Sequence, residues 1–255
     1  MDRRRIDLDD VIYGVHAVEE ALAAGEELRS LHVADERKRD PAVRKILDIA
    51  RERGIRVRFE QRAYFNHFPY KANQGVIAFG QPFSYVTLEE VVGKRSEGAS
   101  LFVVLDHITD PHNAGAIIRT AECAGADGVI MPERRAAGVN ATVRKAAAGA
   151  AAHIPIARVS NLADAIRKLK KANVWVAGAD LGPDSIDFVQ ADLARDIALV
   201  IGAEGTGLSQ LVRRECDYLV RIPVLGQVAS LNASVAAGVL LYEAVRQRRA
   251  LAAAP

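Results

Sequence analysis

The sequence predicts an α/β protein in two parts, and three observations carry that expectation. Short apolar runs alternate with helix-period segments over the first 80 residues. A wholly apolar run in LFVVLD, from Leu101, then opens a second series of strands separated by helical segments, as in a parallel sheet buried on both faces. Between them QPFSYVTLEEVVGKRSEGAS, residues 81–100, loses periodicity apart from one short helical turn, and its Pro, Ser and Gly read as a linker. With 255 residues, 50% of them hydrophobic, the chain can bury a sizeable core.

In the first part, residues 1–80, the strand candidates are VIYG, LRSLHVA, IRVRFE and QGVIAFG, and HAVEEALAAG and DPAVRKILDIARERG have helical patterns. The second helix opens on Asp40-Pro41 and stops at Gly54. Its apolar positions Val43, Ile46, Leu47 and Ile49/Ala50 follow a helical period and leave Arg44, Lys45, Arg51 and Arg53 outside. Net charge is only +2, but Arg29 to Lys71 holds twelve basic residues against six acidic ones. Such a local excess favours a polyanion such as RNA, with Arg44, Lys45, Arg51 and Arg53 as candidate contacts; a solvated helix face is the plainer alternative. Tyr64, Phe65, Phe68 and Tyr70 form the densest aromatic cluster, suited either to base stacking or to capping a core.

The second part, residues 101–249, continues with GVIMP, IPIARV, NVWVAGAD, DIALVIG and DYLVRIP as strands. It closes on a small-residue-rich helix with cations in its last turn, and residues 250–255 read as a frayed tail. No apolar run approaches the ~18 residues of a membrane helix, and MDRRRIDLDD lacks the apolar segment of a secretory signal, so a cytoplasmic location is expected. Cys123 and Cys216 stand alone, which suggests neither zinc nor a disulfide and reads as two small core residues.

Polar interruptions follow three of the strands, where ligand sites of open α/β sheets lie. In DHITDPHNAGAIIRTAECAG a strand ends at Asp106, Asn113 reads as a helix N-cap, and Arg119 follows about two turns on. His107, Asp110 and His112 match no common metal-ligand spacing, so no metal is expected. In ALVIGAEGTG the glycines are Gly202, Gly205 and Gly207, too late in the chain and wrongly spaced for a dinucleotide fingerprint, with no Walker lysine. Glycines there offer a backbone surface that an adenosine-like ligand could approach closely. In RIPVLGQVASLNASVAAG, Ser230, Asn232 and Ser234 precede a helix as capping groups, and no G-x-S-x-G elbow surrounds Ser230.

Taken together, N-x-G-x-x-x-R at Asn113 to Arg119, I-G-A-E-G-T-G at Ile201 to Gly207, and I-P-x-x-G with S-L-N-x-S-V at Ile222 to Val235 resemble the three motifs of the SpoU/TrmH family of RNA ribose 2′-O-methyltransferases. VIYGVHAVEEAL and ANQGVIA further resemble the subfamily that methylates a guanosine ribose in bacterial 23S rRNA, although Asn73 stands where its members commonly carry histidine. The resemblance implies a C-terminal trefoil-knotted SPOUT methyltransferase domain behind a small L30e-like RNA-binding domain. It implies S-adenosylmethionine as cofactor, large-subunit rRNA as partner, and a homodimer through the knot domain. By position it assigns cofactor contacts to Gly202, Gly205, Ile222 and Leu231, and the catalytic pocket to Asn113, Arg119, Glu204, Ser230 and Asn232. A tRNA ribose methyltransferase, a resistance-type rRNA adenosine methyltransferase and a non-catalytic ribosome-assembly protein are the other readings. Since a guanidinium keeps its proton at physiological pH, Arg119 suits an electrostatic clamp better than a base.

Overall fold

The computed structural model describes residues 11–23, 25–68, 73–81, 83–93 and 98–253. They form two compact units, Met1–Phe83 and Ser84–Pro255. Tyr70 and Lys71, part of the aromatic and basic clusters read from the sequence, lie outside the described residues, as do residues 1–10 and 254–255.

The first unit runs β1 (Val11–Tyr13), α1 (Val15–Ala23), β2 (Leu28–Ala34), α2 (Pro41–Glu52), β3 (Arg56–Glu60), α3 (Arg62–Phe65) and β4 (Val76–Gly80). Its sheet has the order β1-β4-β2-β3, with β2 and β3 parallel and the other pairs antiparallel. Asp40 caps α2 by accepting from the Ala42 amide at 3.0 Å, and Pro41 starts the helix with a ring that needs no N–H partner. The helical period then buries Val43, Ile46 and Ala50 with Val15, Val18 and Leu22 of α1 against Leu31, Val33, Val76 and Ala78. On the opposite face Phe65 and Phe68 pack with Ile77 and Phe79. These two aromatics therefore cap a core, and of the described cluster only Tyr64 is partly open, stacked on His32 at 5.2 Å. Asn73 is buried: its Nδ2 donates to the Phe65 carbonyl at 3.1 Å and its Oδ1 accepts from the Gly75 amide at 3.0 Å. The residue in place of histidine thus pins the turn entering β4.

The second unit begins earlier than the apolar pattern suggests. Val86 donates to the Ile156 carbonyl at 3.0 Å, and the Tyr85 hydroxyl accepts from the Val139 amide at 2.8 Å. Helix α4 (Leu88–Gly93) buries Leu88 and Val91 in the core of this unit. Its start is a capping box: the Thr87 hydroxyl accepts from the Glu90 amide at 3.2 Å, and the Glu90 carboxylate accepts from the Thr87 amide at 2.7 Å. Residues 84–93 are structured for that reason, which corrects the expectation of a linker over 81–100.

There follow β5 (Leu101–Asp106), α5 (Pro111–Cys123), β6 (Gly128–Pro132), α6 (Ala141–Ala147), β7 (Ile156–Val159), α7 (Leu162–Lys171), β8 (Trp175–Ala179), β9 (Ile186–Asp187), β10 (Ile197–Gly202), α8 (Gln210–Glu215), β11 (Tyr218–Arg221) and α9 (Ala233–Ala252). The seven strands pair in parallel in the order β7-β6-β5-β10-β8-β11-β9. β5, β6 and most of β10 are buried, as their apolar sequences require. Helix α9 continues through Ala252, where the Ala253 amide still bonds the Arg249 carbonyl at 3.1 Å. No breaker precedes Pro255, so the expected frayed tail over 250–255 is helical for its first three residues. No helix among the described residues is long and apolar enough to cross a membrane.

If α4 belongs to the second core, Val91→Ala should lower stability by about 2 kcal/mol, from two lost methyl groups and the cavity they leave. Urea unfolding followed by Trp175, the chain's one tryptophan, measures it in the unit that holds α4; an unchanged midpoint would return this segment to the linker.

Candidate active site

The register of β5 against β10 sets Gly202 beside Asp106, so the loops leaving these two strands start side by side. β8 lies next to β10, and β11 next to β8, so the segments after all four strands open at the C-terminal edge of the sheet. Asp106 is wholly buried, unusual for a carboxylate, and is held on both oxygens. One accepts from the Ser209 amide at 2.6 Å, and the other pairs with His107 Nδ1 at 2.5 Å. Sequence reasoning used Asp106 only as the end of a strand; an acid closing a wholly apolar run was the signal available.

After β10 the chain doubles back: the Ala203 amide donates to the Gly207 carbonyl at 3.1 Å, and the Gly207 amide donates to the Ala203 carbonyl at 2.8 Å. A Cβ on Gly202 would stand 2.3 Å from the Gly207 carbonyl carbon and 2.6 Å from the Leu208 amide nitrogen. Gly205 and Gly207 have open space but positive φ, +80° and +66°. Glycine at Gly202 therefore serves the close return of the loop, and at the other two positions it serves left-handed backbone, in place of the ligand clearance expected from the sequence.

α5 starts on Asp110, whose Oδ1 accepts from the His112 amide at 3.1 Å. This Asp-Pro start, the same device as in α2, displaces Asn113 from the N-cap position expected for it and leaves its side chain available. Gly115 lets α5 sit directly on α6, since a Cβ there would meet the Val143 carbonyl oxygen at 2.6 Å. Asn232 caps α9: its Oδ1 accepts from the Ser234 amide at 2.9 Å and from the Ser234 hydroxyl at 2.6 Å. Its Nδ2 donates to Asn113 Oδ1 at 2.9 Å and to Glu204 Oε2 at 3.2 Å. One amide thus ties together three segments far apart in the chain.

Arg119 is not part of this cluster. It lies six residues beyond Asn113 on α5, at an angular separation of roughly 120° around the helix, and its side chain is exposed. Among the described residues its guanidinium has no ion pair or hydrogen bond, whereas Ile117, Ile118 and Ala121 around it are buried. Beside the cluster opens a cavity of about 420 Å³, within the range of small-molecule sites. Gly202, Gly205, Ile222, Leu231, Glu204 and Ser230 line it; Asn113, Asn232 and Arg119 do not. Sequence reasoning missed Asp180 and Arg213 on its wall, paired at 2.6 Å, with Asp184 3.6 Å from the same guanidinium. Asp180 also accepts from the Gly182 amide at 2.7 Å. An apolar wall of Leu181, Ile201, Ile222 and Leu231 facing the turn at 203–207 suits a nucleoside-bearing cofactor: it offers flat contact for a purine and backbone groups for its polar edge.

In the first unit Arg44, Lys45, Arg51 and Arg53 are all exposed, but Lys45 pairs with Glu19, and Arg51 lies 3.5 Å from Asp48. Of the two cysteines, Cys216 is half-buried and desolvation pushes its thiol up to about 12, whereas Cys123 is exposed, contrary to the core role read for it. The reason is helical phase: Cys123 follows the buried stripe of α5 off its edge. The described residues contain no cluster of three or more His, Cys, Asp and Glu side chains able to hold a metal.

With parallel sheet, strand-end cavity and three converging motifs in view, the class is that of an S-adenosylmethionine-dependent RNA methyltransferase. The chain belongs to the SpoU rRNA Methylase family, which matches residues 100–242, while residues 11–86 match the domain described as RNA 2′-O ribose methyltransferase substrate binding. It is 39% identical over 241 residues, 94% of this chain and 96% of the relative, to "Putative TrmH family tRNA/rRNA methyltransferase YacO" of Bacillus subtilis (strain 168). Among solved structures it resembles the SpoU methyltransferase AviRb from Streptomyces viridochromogenes in complex with AdoMet, with TM-score 0.62 and 28% identity, covering 98% of this chain and 95% of that one. An AdoMet-bound rRNA methyltransferase from Sinorhizobium meliloti matches with TM-score 0.57 and 30% identity, over 93% of this chain and 87% of that one.

The geometry of the doubled-back loop separates two glycine substitutions. Gly202→Ala must push the 207–208 backbone away and should weaken S-adenosylmethionine binding by about tenfold or more, whereas Gly205→Ala adds only local strain of roughly 1 kcal/mol. Calorimetric titration of the folded variants reads both, and equal affinities in wild type and Gly202→Ala would remove this loop from the site.

Proposed function

We propose that the chain transfers a methyl group from S-adenosylmethionine to the 2′-hydroxyl of a guanosine ribose in 23S rRNA, acting as a cytoplasmic homodimer. The observation that carries the reading is the Asn232 amide, which joins Asn113 and Glu204 at the rim of the 420 Å³ cavity. A non-catalytic RNA-binding protein would have no need to hold this cluster beside a cofactor-sized cavity. The guanosine and large-subunit assignment rests on the resemblance of the first part, residues 1–80, to that subfamily; the match to a ribose methyltransferase substrate-binding domain supports RNA as the ligand of that part.

S-adenosylmethionine, when bound, supplies an electrophilic methyl group on a sulfonium. The backbone of Gly202 and Gly205 with the side chains of Ile222 and Leu231 would hold it, within the SPOUT knot that the family fold implies. Asn113, Glu204 and Asn232 orient the acceptor ribose, with Ser230 on the cavity side. As the ribose oxygen takes up the methyl group it releases its proton to solvent, the spent cofactor leaving as a neutral thioether, and Arg119 stabilises the negative charge that grows on that oxygen and binds the adjacent phosphate. The planar guanidinium can grip both oxygens at once. The dimer contact falls on α9, where Val235 and Tyr242 are 51% and 52% exposed on the helix that also buries Ala237, Leu240, Leu241 and Ala244.

Mapping ribose methylation in rRNA and tRNA of a strain lacking the gene tests the target: one guanosine of 23S rRNA should lose its methyl group, and loss confined to tRNA would reassign the substrate. Arg119→Ala should lower kcat by about 10² to 10³ with cofactor affinity unchanged. Arg119→Lys should remain strongly impaired, because an ammonium lacks the planar fork. Recovery of most activity by lysine would reduce the role of Arg119 to charge alone.

A further inference from the structure

We propose that the RNA-docking surface of the first unit is the open edge of its sheet at β3, where Arg29, Arg56 and Arg58 grip the phosphates of an RNA strand and Phe59 stacks on a base. The proposal rests on the reading of RNA as substrate and names the surface that holds it.

β3 pairs only with β2, so its outer edge is free among the described residues. In the register Ser30 to Arg56 and His32 to Arg58, the two arginines lie on the sheet face that carries His32, about 7 Å apart along the strand. Arg29 comes from the interior strand β2, where the pairing with β4 slips between Leu28 and Ser30, and its guanidinium lies over the Phe79 ring at 5.9 Å. All three side chains are exposed, and none has an ion pair or hydrogen bond from its guanidinium among the described residues. Glu60, the acid at the end of β3 on this face, lies 3.2 Å from His32 Nδ1, one carboxylate against three guanidiniums. Burial first, and then Arg58 and Arg29, hold His32 below its ordinary pKa against the pull of Glu60. On the other side of the strand Phe59 is 43% exposed with the Lys38 ammonium 4.4 Å from its ring centre.

Charged residues on a sheet edge also serve to block pairing with other strands. That role accounts for Arg56 and Arg58 but not for Arg29 on an interior strand. Helix α2, the other basic surface, is less free: Lys45 and Arg51 already face Glu19 and Asp48. Unpaired guanidiniums beside an exposed aromatic ring match what an RNA strand presents, a regular row of phosphates and unstacked bases.

The test uses the full-length protein and a 23S rRNA transcript, with fluorescence anisotropy read over a range of salt. Arg29→Gln/Arg56→Gln/Arg58→Gln should weaken binding at least tenfold and reduce the salt slope by about 2 to 3, since each lost phosphate contact removes roughly 0.7 to 0.9. Phe59→Ser should weaken binding about tenfold and leave the slope unchanged. Far-UV circular dichroism and thermal unfolding of the same variants should match the wild type and show that the first unit is folded, and S-adenosylmethionine affinity should stay at the wild-type value. Wild-type affinity and slope in the triple variant would overturn the edge assignment, as would a larger loss in Arg44→Gln/Arg53→Gln on α2. A wild-type protein that binds cofactor but neither 23S rRNA nor tRNA would overturn the RNA-substrate reading itself.

Discussion

The site depends on one steric constraint, the return of the chain onto Gly202. Between the end of β10 and Leu208 the backbone reverses and pairs Ala203 with Gly207, which is possible only where residue 202 has no side chain. From this reversal follow three placements. Ser209 arrives where its amide can bond the buried Asp106 carboxylate, locking the loop to the strand beside it. Glu204 is carried to the tip, where Asn232 reaches it. The segment 203–207 is left as one wall of the cavity. A carboxylate out of water at Asp106 is tolerable because both its oxygens are bonded, so the anchor is as dependent on the loop as the loop is on the anchor.

The fold class was legible because strands and helices alternate in both parts, and apolar runs such as Leu101–Leu105 and Val76–Phe79 suit burial on two faces. What escaped were features set by capping chemistry and by tertiary register. α4 was hidden in a stretch rich in Pro, Ser and Gly, although Thr87 and Glu90 stand at capping-box spacing. The order of strands, with β10 inserted beside β5, cannot be read from any periodicity, yet it alone brings the late glycines to the first loop. For the same reason Asp180 and Arg213 could not be connected from the sequence: their 2.6 Å contact joins the loop after β8 to helix α8. Motif resemblance supplied Asn113, Glu204 and Asn232 as a group; their hydrogen bonds explain why the group includes two asparagines. An amide both donates and accepts, so Asn232 can cap a helix with its oxygen and bridge two acceptors with its nitrogen, which neither aspartate nor serine can do.

Helix starts in this chain are part of the chemistry. Asp-Pro begins both α2 and α5, and in each the aspartate side chain satisfies an amide that would otherwise be orphaned. In α5 the consequence reaches the cluster, because Asn113 is relieved of capping and its Oδ1 accepts from Asn232. In α9 the cap itself is the bridging residue, so any loss of the Asn232 side chain disturbs helix and cluster together.

Arg213 on the cavity wall and Arg119 outside it are treated in opposite ways by their surroundings, and the difference fits the charges of the two proposed ligands. The cofactor is a sulfonium cation, and the cavity proposed for it has Asp180 and Glu204 against one arginine on its wall. That arginine, Arg213, is neutralised by Asp180 at 2.6 Å and by Asp184 at 3.6 Å, so it adds little repulsion toward a cation. The RNA substrate is a polyanion, and Arg119, outside the cavity wall, has no carboxylate partner among the described residues. An ion pair there would have to be broken before a phosphate could bind, and the guanidinium would then exchange one anion for another with little net gain. In the proposed reaction, an unpaired Arg119 keeps its full interaction for the substrate and for the charge that grows during transfer. Pairing Arg213 makes it a fixed part of the wall.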